Sequence, residues 1–277
     1  MGSATVAALA SAAAFGLCDF LAGVASRRLS FWWVALVSLV ASTGLAWVVV
    51  LLSAPGPQER VVWWGVVAGV GAATGASALY RGYGRGQMAV AGPLSAVGAA
   101  AIPAVVGALL GERLSALAIT GVVIAMPAIW LVSGAGRGGG GARRGTLDGL
   151  VSGVGFAAEF VGLARAGTVA GLWPVAVSQS TALVLIGAIV VVRRPQSRLR
   201  ARPLGWAVLA GVLSLAATSL YFIAATAGLL TVAAVLAGLY PAVTVLLAAI
   251  LLRERPDRVQ LLGLVIAGVA VVLITVF

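Results

Sequence analysis

The sequence predicts an all-α polytopic membrane protein in which ten transmembrane helices form a 5+5 inverted repeat. Of its 277 residues, 62% are hydrophobic and only 9% are charged, a balance that a soluble domain does not tolerate. The apolar residues form ten runs of about 20 residues, the length that crosses a hydrocarbon core of roughly 30 Å as a helix. The two halves of the chain also share residues at a nearly constant offset.

The predicted spans are joined by short gaps that contain turn residues and most of the arginines. Runs of this length and number are not explained by buried core helices of a soluble protein. The ten spans cover approximately residues 5–26, 31–52, 61–80, 87–110, 115–133, 147–165, 171–192, 204–225, 230–252 and 258–277.

A glycine-rich segment divides these spans into two groups of five. Residues 1–134 form the first predicted five-helix repeat, residues 135–146 a Gly/Arg-rich linker, and residues 147–277 the second repeat. Because five is an odd number, the second group enters the membrane from the side opposite to the first. Inverted repeats of this kind build alternating access around a central site in transporters.

Matching residues support the repeat. One constant offset aligns the Glu-Arg pair at 112–113 with the pair at 254–255, and a second, nearly equal offset aligns Asp19 with Glu159. The second offset also aligns Trp33 with Trp173. The Glu-Arg pairs are the informative matches, because matches between small apolar residues arise by chance in this composition.

The 18 basic residues are all arginines, and they give the chain a formal charge of +11. The odd-numbered gaps hold 15 of them and the even-numbered gaps hold three. By the positive-inside rule the odd gaps are predicted to be cytoplasmic and both termini external, in the plasma (inner) membrane of a bacterium. The arginines form no continuous basic face, so no nucleic-acid partner is expected.

Short motifs accompany the ends of three spans. Glu-Arg-Leu at 112–114 and Glu-Arg-Pro at 254–256 follow spans four and nine, Pro241 lies inside span nine, and Gln260-x-x-Gly263 begins span ten. With ten spans of this size, these motifs resemble the EamA family of the drug/metabolite transporter superfamily. The resemblance implies an exporter of small metabolites or amino acids whose substrate cavity lies between two five-helix halves. The first half departs from the pattern, since it lacks the proline aligned with Pro241.

Two acidic residues lie inside predicted spans. Asp19 is in the first span and Glu159 is at the matching place in the sixth. A charged side chain at the bilayer centre costs about 2.5 to 3.5 kcal/mol on insertion scales, so it normally faces a cavity or a partner. Both are candidates for coupling or for binding a cationic group, and the small multidrug resistance proteins carry a comparable acid. In the alternative interpretation, each acid pairs with an arginine near its helix end, Arg27 or Arg165.

Span seven contains the most polar stretch of any span. Trp173 and Pro174 precede Ser178 and Gln179, and a proline here would free a backbone carbonyl. An interrupted helix is a recurrent feature of transporter binding sites. Hydrogen bonding between helices, worth about 0.6 kcal/mol per contact, explains the same residues equally well.

Three tyrosines are candidates for stacking on a solute. Tyr83 lies near the end of span three, Tyr221 in span eight and Tyr240 before a proline in span nine. Aromatic residues at span ends more often anchor the helix at the interface. That explanation fails for Tyr240, which is about ten residues into its span.

Two further patterns are assigned to structure. Gly65-x-x-x-Gly69 and Gly71-x-x-x-Gly75 permit close helix approach. The Glu-Arg pairs at 112–113 and 254–255 are interpreted as local turn pairs at the membrane surface, outside the transport machinery.

These features predict a secondary active transporter that exports a small organic metabolite, amino-acid-like or cationic, by alternating access with proton coupling through Asp19 and Glu159. Its expected partners are the solute and the lipid bilayer. No metal or cofactor is expected, since the chain has one cysteine, no histidine and no phosphate-binding loop. An intramembrane enzyme and a membrane subunit without transport remain as alternatives, and the choice between monomer and homodimer stays open.

Overall fold

The structure is a computed structural model that describes residues 2–26, 28–53, 56, 59–84, 88–132, 142–195, 201–251 and 257–275. All regular structure in these ranges is helical. The helices are α1 (Gly2–Ser26), α2 (Phe31–Ser53), α3 (Glu59–Gly84), α4 (Met88–Leu109), α5 (Ala116–Val132), α6 (Ala142–Ala166), α7 (Trp173–Arg193), α8 (Ala201–Ala227), α9 (Leu230–Ala237), α10 (Tyr240–Leu251) and α11 (Arg258–Thr275).

The described helices fall on the predicted spans, with α9 and α10 sharing the ninth. Seven stretches are long and apolar enough to cross a membrane. Three further apolar helices are shorter, namely Leu94–Leu109, Ala116–Val132 and Arg258–Ile274. The chain is therefore a multi-pass membrane protein, and the regular structure of its described part is helical.

The ninth span is broken in its middle. Gly238 and Leu239 form a turn between α9 and α10, and Pro241 lies in the first turn of α10. Proline has no N–H and disfavours helix at the residue before it, so the first helix ends and a second begins. The expected interruption of span seven at Pro174 is wrong, because Pro174 lies in the first turn of α7, where its missing N–H removes no helical hydrogen bond.

Contacts between helices define their directions. The start of α1 meets the end of α8, where Ala4 lies beside Gly228, and the Ser11 hydroxyl donates to the Ala217 carbonyl at 2.8 Å. In α5 and α11, Gly121 contacts Ile274 at the opposite end from Gly263. Consecutive spans thus alternate in direction. We call the side where α1 begins face A, and the side of the arginine-rich odd-numbered loops face B.

The first helix of each half packs mainly against the other half. Helix α6 lies against α3 and α4, which precede the linker, whereas α1 lies against α8, α9 and α10, which follow it. We call these groups bundle 1 (α3, α4 and α6) and bundle 2 (α1, α8, α9 and α10). Helices α2 and α7 contact each other, α2 lies mainly against bundle 2 and α7 mainly against bundle 1, and α5 pairs with α11.

Glycines hold bundle 1 together, as their spacing predicts. A Cβ built on Gly155 of α6 would lie 2.5 Å from the Gly75 nitrogen and 2.8 Å from the Gly71 carbonyl oxygen of α3. Near face B, Arg81 of α3 donates from Nε to Asp148 Oδ1 of α6 at 2.8 Å. Asp148 is only 1% exposed, so this ion pair fixes the ends of the two helices against each other.

Candidate functional site

Asp19 lies on a stripe of α1 that changes from buried to exposed along the helix. Ala12 and Gly16 are buried, and Gly16 contacts Val243 of α10. One turn further toward face B, Asp19 and Gly23 are exposed, and no neighbouring atom of the described residues lies within 4 Å of a Cβ built on Gly23. The interior face of α1 therefore loses its cover at Asp19. We call the space beside Asp19 and Gly23 the vestibule.

Helix geometry places Asp19 toward the protein interior. At about 100° per residue, Asp19 falls between Ser11, which contacts α8, and Gly16, which contacts α10. The apolar residues Leu17 and Val24 lie on the far side of the helix. Asp19 thus points into the angle between α8 and α10 rather than away from the bundle.

Four aromatic rings lie on the face A side of the vestibule, and we call them the aromatic plug. Phe15, one turn from Asp19, has its ring 6.3 Å from that of Phe160 and 6.2 Å from that of Tyr240. Phe160 stacks on Tyr221 at 4.1 Å, and the Tyr221 hydroxyl donates to the Phe160 carbonyl at 3.1 Å. Tyr221 is completely buried, so its polar group is satisfied inside the plug.

Glu159 lies beside the plug on the other bundle. It is partly buried and shares a stripe of α6 with Ser152 and Leu163, which are both fully buried. Its backbone packs against Gly71 of α3, and the next residue, Phe160, stacks on Tyr221. These contacts turn the carboxylate toward the interior.

The two acids lie at opposite depths. Each is seven residues from the end of a 25-residue helix, which is about 10 Å at the helical rise. Asp19 is that far from face B and Glu159 is that far from face A. The sequence prediction of matching places in the two halves therefore corresponds to mirrored depths in the membrane.

Neither acid has a hydrogen bond or an ion pair with another residue in the described ranges. The Arg165 guanidinium lies over the Trp64 ring, 5.8 Å from its centroid, instead of reaching back to Glu159. Arg27, the other expected partner, lies outside the described residues. Pairing of Glu159 with Arg165 is thus replaced by a cation–π contact at the helix end.

The polar residues predicted in span seven divide into two groups. Trp173 meets Trp47 of α2 edge to face at 5.4 Å, and the Trp47 indole donates to the Ser180 hydroxyl at 2.9 Å. Ser178 and Gln179 are buried, and the Ser178 backbone lies against Gly69 of α3. Ser178 therefore serves close packing, whereas the two tryptophans form a second aromatic pair between α2 and α7.

Three buried polar atoms lack a hydrogen-bond partner within the described part of the chain. They are Thr43 Oγ1, Ser77 Oγ and Trp173 Nε1. Thr43 is one turn from Trp47, on the side of α2 opposite to exposed Val48. Such orphaned groups call for an explanation, and a bound polar ligand or water would satisfy them.

The structure does not bring all predicted residues together. Asp19 and Tyr240 border the vestibule, and Glu159 and Tyr221 lie behind its aromatic floor. Trp173, Ser178 and Gln179 belong to the α2–α7 region, and the Tyr83 side chain lies outside the described residues. Sequence reasoning missed Phe15, Phe160 and Trp47, although the first two could have been found from their spacing to the acids, four residues and one residue respectively.

Glu112 was interpreted as half of a local turn pair, and the structure corrects this. Its carboxylate accepts hydrogen bonds from the Leu230 N–H at 2.6 Å and the Thr231 N–H at 3.0 Å. The Thr231 hydroxyl donates to the Ala104 carbonyl at 3.2 Å. Glu112 therefore caps the start of α9 and ties bundle 1 to bundle 2 at face A. We call this contact the Glu112 clasp.

Removing the charge of the clasp has a measurable consequence. We expect Glu112→Gln to destabilise the protein by about 1 to 2 kcal/mol, because an amide interacts less strongly than a carboxylate with the N-terminus of α9. The thermal midpoint in detergent, followed by tryptophan fluorescence, should fall by several degrees. Glu59→Gln, at an exposed acid in the first turn of α3, is the control. Equal midpoints for the two variants would contradict the clasp.

A groove of about 560 Å³ between α3 and α6 is a different feature. Apolar residues such as Trp63, Val70, Leu150 and Val154 line it. It opens on the outer surface of α3 and α6, where Trp63 is 64% exposed. This apolar outer surface suits acyl chains and is not part of the candidate site.

Comparison with known proteins agrees with this architecture. Residues 143–276 match the EamA-like transporter family. The match covers the second half of the chain. The resemblance to the EamA family within the drug/metabolite transporter superfamily is thereby confirmed. The chain is thus a multi-pass membrane protein whose second half matches a transporter family.

A solved crystal structure has a similar fold along the whole length of this chain. The two chains superpose with a TM-score of 0.83, covering 100% of this chain and 97% of the other. Their sequence identity is 17%, so the likeness concerns the fold alone. No curated protein sequence matches the chain at a significant level.

Proposed function

We propose that this protein is a secondary active transporter that exports a small organic metabolite by alternating access, with proton coupling through Asp19 and Glu159. The observation that carries the proposal is the pair of carboxylates without partners among the described residues, which face the interior from opposite bundles at mirrored depths. Unpaired acids in membrane spans are costly, and they commonly serve ion or substrate pathways.

The predicted 5+5 repeat supplies the mechanical part of the proposal. The contact of α3 with α6 has a counterpart in that of α8 with α1, and α3 with α7 has one in α8 with α2. A close contact also recurs, since Gly69 meets the Ser178 carbonyl and Gly211 meets the Ser38 carbonyl. We take residues 1–134 and 147–277 as the two repeats and 135–146 as their linker. Exchange of roles between such repeats is how alternating access arises.

The described arrangement suits a state open toward face B. Seven of the eight residues of α9, near face A, are buried, whereas α10, near face B, has no buried residue. The Glu112 clasp and the aromatic plug lie on the closed side. In this proposal the alternate state breaks the clasp, parts the plug and exposes Glu159 toward face A. The break between α9 and α10 provides a hinge about which these two segments of the ninth span can move relative to each other.

We further propose that face B is cytoplasmic and that both termini lie outside a bacterial plasma membrane, since 15 of the 18 arginines occupy the odd-numbered loops. Export then begins with solute entering the vestibule from the cytoplasm. A proton moving inward through Glu159 and Asp19 would supply the driving force. The family membership favours transport over an intramembrane enzyme.

Reconstitution tests the function directly. Purified protein in liposomes should move at least one solute from a panel of amino acids, organic cations and neutral metabolites faster than protein-free liposomes do. An imposed pH gradient should accelerate that flux, and a protonophore should remove the acceleration. Turnover of a lipid substrate without solute flux would favour the enzyme instead.

A further inference from the structure

Two arginines meet at the face A end of the groove between α3 and α6. Arg60, in the first turn of α3, donates from Nη2 to the Arg165 carbonyl of α6 at 3.5 Å, and the Arg165 guanidinium lies over the Trp64 ring. Both arginine side chains are exposed. The even-numbered gaps hold three of the 18 arginines of the chain, so two of those three lie together at this place.

Helix geometry directs both arginines toward the groove. Arg60 is seven residues before Val67, which lines the groove, so the two lie within about 20° of each other around the α3 axis. Arg165 is seven residues after Ala158 and eleven after Val154, which gives an alignment within about 20° on α6 as well. The two guanidinium groups therefore lie at one end of an apolar channel.

The groove has the depth of one leaflet. On α3 its lining extends from Trp63 to Thr74, which is about 16 Å at the helical rise. Half of a hydrocarbon core of roughly 30 Å has nearly the same thickness. Gly71 and Gly155 form the floor, where the two backbones lie close together, and valine side chains flank them on both helices. The close contact that assembles bundle 1 thus leaves a channel that suits an acyl chain.

The charged groups at this end of the groove favour an anion. Glu59 is exposed beside Arg60, but neither arginine forms an ion pair with a carboxylate of the described residues. The neighbouring segments of face A, residues 54–58 and 167–172, contain no charged residue, and the Glu-Arg pair at 112–113 adds no net charge. Two arginines against one acid leave a positive balance at the depth of the lipid headgroups. Guanidinium groups bind phosphate oxygens through paired hydrogen bonds.

We propose that the α3–α6 groove binds one anionic phospholipid from the leaflet at face A. The phosphate is held by Arg60 and Arg165, and one acyl chain lies over Gly71 and Gly155. Trp63 borders the lipid near its headgroup, a depth at which tryptophan is common in membrane proteins. The site is separate from the vestibule and the aromatic plug, so it does not depend on the transport function proposed above.

Native mass spectrometry of the purified full chain tests the headgroup preference. The protein in a nonionic detergent is titrated with phosphatidylglycerol, which is anionic, and with phosphatidylethanolamine that has identical acyl chains. We expect the first phosphatidylglycerol to bind with a dissociation constant about tenfold below that of phosphatidylethanolamine. Equal affinities would overturn the proposal, because the groove would then hold lipid through its acyl chains alone.

Arginine variants assign the preference to this site. Arg165→Gln should weaken the binding of phosphatidylglycerol several-fold, and adding Arg60→Gln should abolish the preference for it. Arg113→Gln removes the third arginine of the even-numbered gaps, which follows α4, and should leave the preference unchanged. If the double variant binds phosphatidylglycerol as the wild type does, the anionic lipid binds at the arginine-rich loops of face B and the proposed site is wrong.

Filling the groove distinguishes a phospholipid site from a site for phosphate alone. Val154→Trp places a large side chain in the channel and keeps both arginines, so it should weaken phosphatidylglycerol binding about tenfold. Val184→Trp, at an outward-facing residue of α7, is the matched control, and both valines are exposed, so neither change should disturb packing. Two results would overturn the proposal. One is unchanged binding in Val154→Trp, and the other is a wild-type dimer that Val154→Trp dissociates, which would assign the groove to a second copy of the chain.

Discussion

The Asp19→Asn and Glu159→Gln variants are expected to lose proton-driven transport by at least about tenfold. Neither amide can carry a proton, and both acids lie unpaired within the described interior, so no neighbouring group takes over their role. Proteoliposomes loaded with a pH-sensitive dye should report solute-dependent proton movement for the wild type and none for either variant.

The two variants should also differ from each other. Asp19→Asn removes the charge that borders the vestibule, so it should weaken solute binding from face B as well as coupling. Glu159 lies behind Phe160 and Tyr221, so Glu159→Gln should leave binding from face B intact. Glu59→Gln controls for the loss of an acid at an exposed position. Normal proton-driven transport by both interior variants would refute coupling through these residues.

The Gly155→Leu variant is expected to prevent assembly of bundle 1. A Cβ at this position would lie 2.5 Å from the Gly75 nitrogen and 2.7 Å from the Gly75 Cα, both backbone atoms that no rotamer change can displace. Separating α3 from α6 would also strain the Arg81–Asp148 ion pair. We expect loss of the monodisperse peak in size-exclusion chromatography and a large fall in yield from the membrane.

Gly44→Ala is the matched control for this prediction. Gly44 is exposed in α2, and a Cβ built there meets no atom of another described residue within 4 Å. Alanine should be tolerated at that position or should slightly raise the thermal midpoint, because it favours the helix by roughly 1 kcal/mol over glycine. A monodisperse and stable Gly155→Leu protein would show that α3 and α6 do not pack as described.

The number and position of the helices could be predicted from the sequence, because the bilayer imposes a length and a polarity on every span. The alternation of direction followed from the short loops. The small-residue spacing in span three likewise predicted close packing, and Gly71 and Gly75 do meet Gly155. These features depend on local composition, which a single sequence displays.

Features that depend on distant partners could not be predicted in the same way. Pro174 and Pro241 look alike in the sequence, and both lie in the first turn of a helix, but Pro174 begins its span whereas Pro241 follows another helix within the same span. Glu112 bonds to amides 118 and 119 positions away, and an acid after a helix end gives no local sign of such a partner. The exchange of α1 and α6 between the halves is likewise a tertiary property.

The interior acids are an intermediate case. Their rarity in an apolar span singled them out, and the offset that also aligns Trp33 with Trp173 related them to each other. Their depth could be calculated only once the bounds of α1 and α6 were known. The aromatic plug was harder to predict, since its four rings come from four different helices.

Accessibility of the vestibule to water is the most direct test of this account. In a Cys18→Ser background, a thiol introduced by Gly23→Cys should react with a membrane-impermeant methanethiosulfonate added at face B, and should be protected from the same reagent added at face A. A thiol introduced by Val184→Cys, at an outward-facing residue of α7 that is 70% exposed, should remain unreactive from both faces because lipid surrounds it. If the thiol at position 23 is as unreactive as the one at position 184, the stripe of α1 that carries Asp19 faces lipid, and a water-filled site open to face B does not exist.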